Sequence, residues 1–225
     1  MLLSVAYGLP ENLSMDTAPD AANAPQDGGP EAEAKLDIDL MLRVKSGDFD
    51  AFETIVERHQ HAVIGTIAKM TGRPHDAEDV AQQVFLRVWK AAPRYEPKAK
   101  FTTWLFTITR NLVFNETRKR GRRQEVSMEE REEEMHIQAS DDPYAEPDAN
   151  VLRTELEGAI DAAIQSLPEK QRLAVIMRRF EEVPYDEIGK VLNLSLPAVK
   201  SLLFRARTQL KEKLGSYLGE ASGEM

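Results

Sequence analysis

Residues Pro184–Leu214 read PYDEIGKVLNLSLPAVKSLLFRARTQLKEKL, two helical patterns broken by a turn. In the first, Ile188, Val191 and Leu192 fall on one face. Asn193 then stands where the chain reverses, and Asn tolerates the left-handed conformation better than most residues. Ser195 is placed to cap the next helix, and Pro197 suits its first turn. That second helix buries Val199, Leu202 or Leu203, Ala206 and Leu210 at a spacing of three to four. Its other face carries Lys200, Ser201, Phe204, Arg205 and Thr208. A packed helix pair whose second member is polar and basic has the shape that enters a DNA major groove. An ordinary helical hairpin with a solvated basic face is the alternative.

Working outward, the 225 residues suffice for one large or two small domains, and 42% hydrophobic content supports real cores. The chain has no Cys, which excludes disulfides, thiolate zinc sites and a catalytic thiol. No stretch approaches the ~20 apolar residues of a membrane span. The first ten residues break at Gly8 and Pro10 without a basic n-region, unlike a secretory leader. These features predict a cytoplasmic protein without membrane insertion.

The net charge of −9 hides a strong segregation. Between Arg94 and Arg123 lie nine basic side chains and two acids, whereas Glu125–Asp148 holds ten acids and one base. Lys200–Lys213 is basic again, with five cations against one acid. Two basic patches flanking an acidic strip suit a polyanion better than the total suggests.

The pattern predicts an all-α chain with two small helical domains joined by an acidic flexible linker. Residues 1–35 read as a disordered tail rich in Ala, Pro, Asp and Gly. Residues 36–120 form the first domain, with helices starting near Ile38, after Asp48, near Asp76 and near Thr102. The long second helix has the stripe Phe49, Phe52, Ile55, Val56, Val63, Ile64 and Ile67, and stops near Gly72 and Pro74. Residues 121–149 are the linker, and 150–218 the second domain with its helix-turn-helix. Residues 219–225 are a tail.

Catalytic constellations are absent from this reading. His59 and His61 are two apart and cannot form the i, i+4 pair of a helical zinc site, so the four His residues read as surface groups. No metal or other cofactor is expected. Binding features are richer. Tyr95, Phe101, Trp104, Phe106 and Phe114 interleave with bases, as they do where bases stack and phosphates are tracked, although Trp104 equally suits the inner face of a helix. Asn111 and Asn115 lie four apart, where amides could read base edges. Asp79, Gln82, Gln83, Leu86 and Lys90 make a mixed stripe suited to protein docking, or simply to solvent.

Three segments together resemble bacterial RNA polymerase sigma factors of the extracytoplasmic-function (ECF) type. DAEDVAQQVFLRVWKA (76–91) is similar to that family's polymerase-docking segment, and FTTWLFTITRNLVFNETRKRGRR (101–123) to its promoter-melting segment. LPEKQRLAVIMRRF and PYDEIGKVLNLSLPAVKSLLFRAR are similar to its second domain, and the likeness covers about residues 37–215.

The resemblance implies a set of roles. Asp79, Gln82, Gln83 and Leu86 would grip core RNA polymerase. Lys98, Lys100, Phe101, Asn111, Asn115, Arg118 and Lys119 would hold the −10 element, one base being flipped out at a cost of a few kcal/mol. Lys200, Ser201, Phe204 and Arg205 would read the −35 element. Arg178, Arg179 and Arg207 are candidates for phosphate contacts or packing. An anti-sigma factor is implied as a further partner, and the acidic linker would thread the polymerase channel that later carries RNA. Four positions depart from the family pattern: Gln83 replaces Glu, Gly189 and Asn193 replace Ala and Gly, and Leu202 stands where many members carry Arg. Two other readings remain open here, a stand-alone helix-turn-helix regulator and a sigma-like adaptor.

Overall fold

The computed structural model describes residues 29–128 and 149–215. Eight α-helices run through them: α1 Pro30–Lys45, α2 Phe49–Thr71, α3 Pro74–Ala91, α4 Phe101–Met128, α5 Ala149–Gln165, α6 Glu169–Arg179, α7 Tyr185–Leu192 and α8 Leu196–Lys213. A single 3₁₀ turn, Ala92–Arg94, follows α3. Among the described residues there is no strand, and no helix is long and apolar enough to cross a membrane.

The helix limits follow local chemistry. Asp48 caps α2 by accepting a hydrogen bond from the Ala51 amide at 3.0 Å. Gly72 ends α2 at φ 68°, where a residue without Cβ meets no steric penalty. Only two residues separate α2 from α3, so α3 folds back along α2. Helix α1 begins earlier than the apolar pattern suggested. Pro30 sits in its first turn with Glu31 and Glu33, groups that suit the positive end of the helix dipole. Residues 30–35 are thus helical rather than tail, while the rest of the predicted tail, 1–28, lies outside the described residues. Helix α4 likewise runs to Met128, into the stretch read as linker; 129–148 lie outside the described residues, as do 216–225.

Leu40, Met41 and Val44 of α1 meet Ile55, Val63 and Ile67 of α2, Val84 and Val88 of α3, and Leu105 and Leu112 of α4 in one buried core. In the second domain, Ile164, Leu173, Ile176 and Met177 pack with Ile188, Val191, Val199 and Leu203. Asp37 is the buried charge of the first domain, 3% exposed, and lies 2.8 Å from Arg58 and 3.0 Å from His59. His59 is therefore a half-sequestered partner of Asp37 rather than the surface group the sequence suggested. Burial pushes the Asp37 carboxyl up, but His59 and Arg58 together hold it below the ordinary carboxylate value.

The two domains are packed together. Helix α4 rests on α7, and the C-terminal half of α2 rests on α5 and α6.

Candidate nucleic-acid interface

The helix-turn-helix forms as its sequence indicates. Asn193 adopts φ 55°, ψ 53°, and the Leu194 amide donates to the Gly189 carbonyl at 2.9 Å. A Cβ at Gly189 would stand 2.8 Å from the Leu194 carbonyl oxygen, so Gly here lets the turn close tightly. Ser195 occupies the N-cap position of α8, although its side chain makes no capping bond. Ile188, Val191, Leu192, Val199 and Ala206 are buried, which fixes the pair against α6. Leu202 and Leu203 are both buried, at 8% and 5% exposure, so Leu202 belongs to the packed side. The opposite face presents Lys200, Ser201, Phe204 and Arg205 to solvent, Phe204 at 65% exposure. These four side chains lie on the face that a major groove would meet.

On α3, Asp79, Gln82, Gln83 and Leu86 all point outward, Leu86 at 57% exposure, while Ala77, Ala81, Val84, Phe85 and Val88 face the core. One end of this helix adjoins an aromatic step in which Phe49 packs edge-on against Trp89 at 5.8 Å. Phe49 was expected in the core stripe of α2; it is 63% exposed because it is the first residue of the helix, before the stripe is enclosed.

The loop before α4 and the outer face of α4 form a second basic surface. Lys98 and Lys100 are exposed, with the Lys98 ammonium 2.6 Å from the Glu96 carboxylate. That hydrogen bond raises the Lys98 pKa and lowers that of Glu96. Asn111, Asn115, Arg118 and Lys119 are exposed along the helix. Phe101 departs from its expected role. It is fully buried, packed against His59 at 5.1 Å, Tyr95 at 6.4 Å and Trp104 at 6.0 Å. As the first residue of α4, at the junction with α1 and α2, it anchors the loop from beneath and does not offer its ring to a base. Tyr95, Phe106 and Phe114 are buried too, and Trp104 is half-buried, so most of the interleaved aromatics form core. Arg178 is exposed and lies over the Tyr185 ring at 5.3 Å, so it packs on the ring while still facing solvent.

The sequence reading did not single out Arg110 among the candidate site residues. Its Nε donates to the Asn111 Oδ1 at 3.1 Å, and its Nη1 donates to the carbonyl of Val191 in α7. Beside it, the Thr103 hydroxyl donates to the buried Glu187 carboxylate of α7. Burial acts to raise the Glu187 pKa, but Lys190 and Thr103 outweigh it and the net shift is downward. The only cue in the sequence was a cation directly before a candidate base reader.

Two stretches of the chain match known family models. Residues 55–123 match Sigma-70 region 2 and residues 157–210 match Sigma-70 region 4. The chain is 34% identical over 188 residues to the RNA polymerase sigma-H factor of Pseudomonas aeruginosa, covering 82% of this chain and 97% of that one. It is 33% identical over 175 residues to the ECF RNA polymerase sigma factor SigW of Bacillus subtilis, covering 76% and 93%. Among solved structures, CnrH in complex with the cytosolic domain of CnrY is 25% identical with a TM-score of 0.57, over 84% of this chain and 99% of that one. A Bartonella quintana RpoE, 24% identical with a TM-score of 0.56 over 73% and 96%, shares the fold. With both characteristic regions present in order, and relatives matched along most of their length, this chain belongs to the RNA polymerase sigma factors of the ECF type.

Proposed function

We propose that the chain acts as a promoter-specificity subunit without catalytic activity of its own, working in the cytoplasm with core RNA polymerase, and that its exposed faces divide the work. Asp79, Gln82, Gln83 and Leu86 dock the polymerase. Lys98, Lys100, Arg118 and Lys119 hold the phosphates of the opened −10 strand, while Asn111 and Asn115 read its bases. Lys200, Ser201, Phe204 and Arg205 read the −35 duplex. The observation that carries this reading is the separate outward presentation of three chemically different faces: mixed polar on α3, basic with two amides on α4, basic with one aromatic on α8. Phosphate contacts supply affinity on the two basic faces, and amide, hydroxyl and aromatic groups supply base discrimination.

An anti-sigma factor is proposed as a regulator, since CnrH was solved with the cytosolic domain of CnrY and the Bartonella quintana RpoE with the anti-sigma factor NepR. The deciding experiment is run-off transcription with bacterial core polymerase on a pool of promoters. Transcripts that depend on both the protein and the promoter sequence are expected. DNA binding without any binding to core would sink the reading in favour of a free-standing regulator.

A further inference from the structure

Lys45 ends α1, where a cation ordinarily serves the last carbonyls of its own helix. Other groups do that here. The Ser46 and Asp48 amides take the Arg43 carbonyl at 2.9 and 3.2 Å, and the Gly47 amide takes Val44 at 2.9 Å. The Ser46 hydroxyl takes Leu42 at 3.3 Å. The Lys45 ammonium reaches away instead and donates to the Tyr95 carbonyl at 2.9 Å, 50 residues along the chain. Tyr95 opens the loop 95–100, which joins the 3₁₀ turn to α4 and carries Lys98 and Lys100.

The loop's own backbone bonds run from the Tyr95 amide to Ala92 at 2.9 Å and from the Lys98 amide to Glu96 at 2.8 Å. The rest of its hold comes from side chains beneath it. The Tyr95 ring, 2% exposed, packs edge-on against Trp104 at 5.1 Å and Phe101 at 6.4 Å. Phe101 closes the far end of the loop on His59 at 5.1 Å. Burial first, and the Asp37 carboxylate second, push the Tyr95 hydroxyl pKa up. Asp37 also belongs to α1. Helix α1 thus acts on Tyr95 twice, through the field of Asp37 at the hydroxyl and through the Lys45 bond at the carbonyl. Both ends of the loop are fixed, while Glu96, Lys98 and Lys100 between them face solvent.

We propose that Lys45 is a positioning residue for −10 reading: it fixes the Tyr95 carbonyl so that the loop holds Lys98 and Lys100 where the opened strand runs on to Asn111 and Asn115. The proposal rests on the promoter-reading assignment above. Its physical basis is preorganisation. A loop already in its binding shape loses little conformational freedom when the strand arrives. Phosphates held in one register present the same bases to the two amides each time. Lys45 therefore acts on base discrimination without touching a base.

The chain has no cysteine, so a spin label at Ala99→Cys reports on the loop alone. Lys45→Met should make that label more mobile. Lys45→Arg, which keeps a donor, should leave it as in the parent, and neither change should move the melting temperature much. In run-off transcription with core polymerase, Lys45→Met should lower output ~3- to 10-fold, the worth of one hydrogen bond. It should also shrink the penalties of single-base changes in the −10 element but not in the −35 element, and Lys45→Arg should restore both. A label equally mobile in Lys45→Met and parent overturns the proposal. So does a Lys45→Met protein that keeps every −10 penalty while its salt slope falls by about 1, because Lys45 is then a phosphate contact. A parent with no −10 penalty would instead strike the promoter-reading assignment, and the label would still decide whether Lys45 holds the loop.

Discussion

The Glu181 carboxylate, in the loop before α7, accepts a hydrogen bond from the Thr66 hydroxyl of α2 at 3.4 Å across the domain boundary. Burial drives its pKa up to about 7, against the opposing pull of that bond and of Lys69. Lys69 itself is shared, lying 3.8 Å from Asp161 of α5 and 4.3 Å from the centre of the Phe180 ring. The closed form therefore holds a proton on Glu181 that an opened form, with a carboxyl near its ordinary value, would release. The stabilising effect is fully present below that ordinary value and is lost as pH rises through about 7. Energy transfer between the domains should be higher at pH 6 than at pH 8. Glu181→Gln should flatten the dependence and keep the domains closed at pH 8.

The Asp37 cluster gives the opposite sign. Its depressed carboxyl contributes stability above its ordinary pKa that is lost as acid protonates the folded form. Asp37→Asn removes the charge from a group 3% exposed and leaves Arg58 and His59 without their anion. A loss of about 1–3 kcal/mol is expected, discounted from a fully buried pair because Arg58 reaches solvent. Urea unfolding at pH 7 measures it, and the gap between variant and parent should narrow below pH 4.

In the helix-turn-helix, Gly189→Ala places a methyl 2.8 Å from the Leu194 carbonyl oxygen, and backbone must shift to admit it. Destabilisation of roughly 1–3 kcal/mol is expected. Asn193→Gly removes the cost of a left-handed non-Gly residue and should raise stability by up to about 1 kcal/mol. Thermal melts of both single variants check the pair. An unchanged melting temperature for Gly189→Ala would mean that the turn relaxes freely.

Phe204 is 65% exposed, so Phe204→Ala should leave the melting temperature unchanged. Its loss should cost about 1–3 kcal/mol at one base position of the −35 duplex. Lys200→Ala should weaken all sequences alike and lower the salt slope by about 1. Fluorescence anisotropy on a set of single-base duplex variants separates the two behaviours.

Leu86→Asp puts a charge on a side chain that is 57% exposed in the free protein. Affinity for core polymerase should fall more than tenfold while −35 duplex binding and the melting temperature stay as they are. Retained core affinity would move the docking face away from α3.

The features readable in sequence were those encoded within a few residues. Asp48 and Gly72 bracket α2, Asn193 turns α7 into α8, and the spacing of Val199, Leu203 and Ala206 separates the buried from the DNA-facing side of α8. The outward position of Asp79, Gln82, Gln83 and Leu86 followed from the same periodicity. Phe101 and Phe49 were misplaced for one reason: each is the first residue of a helix, where periodicity stops predicting environment and the neighbouring elements decide.

By itself, then, the sequence determined the helices, their faces, the two-region order and the sigma-factor family, because capping, periodicity and motif spacing are local properties. Only the tertiary structure decided that the two domains close on each other. That closure is made by Thr103 with Glu187, Arg110 with Val191, Gln165 with Lys69 and Arg172 with Met70. These partners lie 81 to 102 residues apart, and three of the four acceptors are backbone carbonyls. A carbonyl has no residue letter, and its need for a donor arises only where a helix ends against another domain.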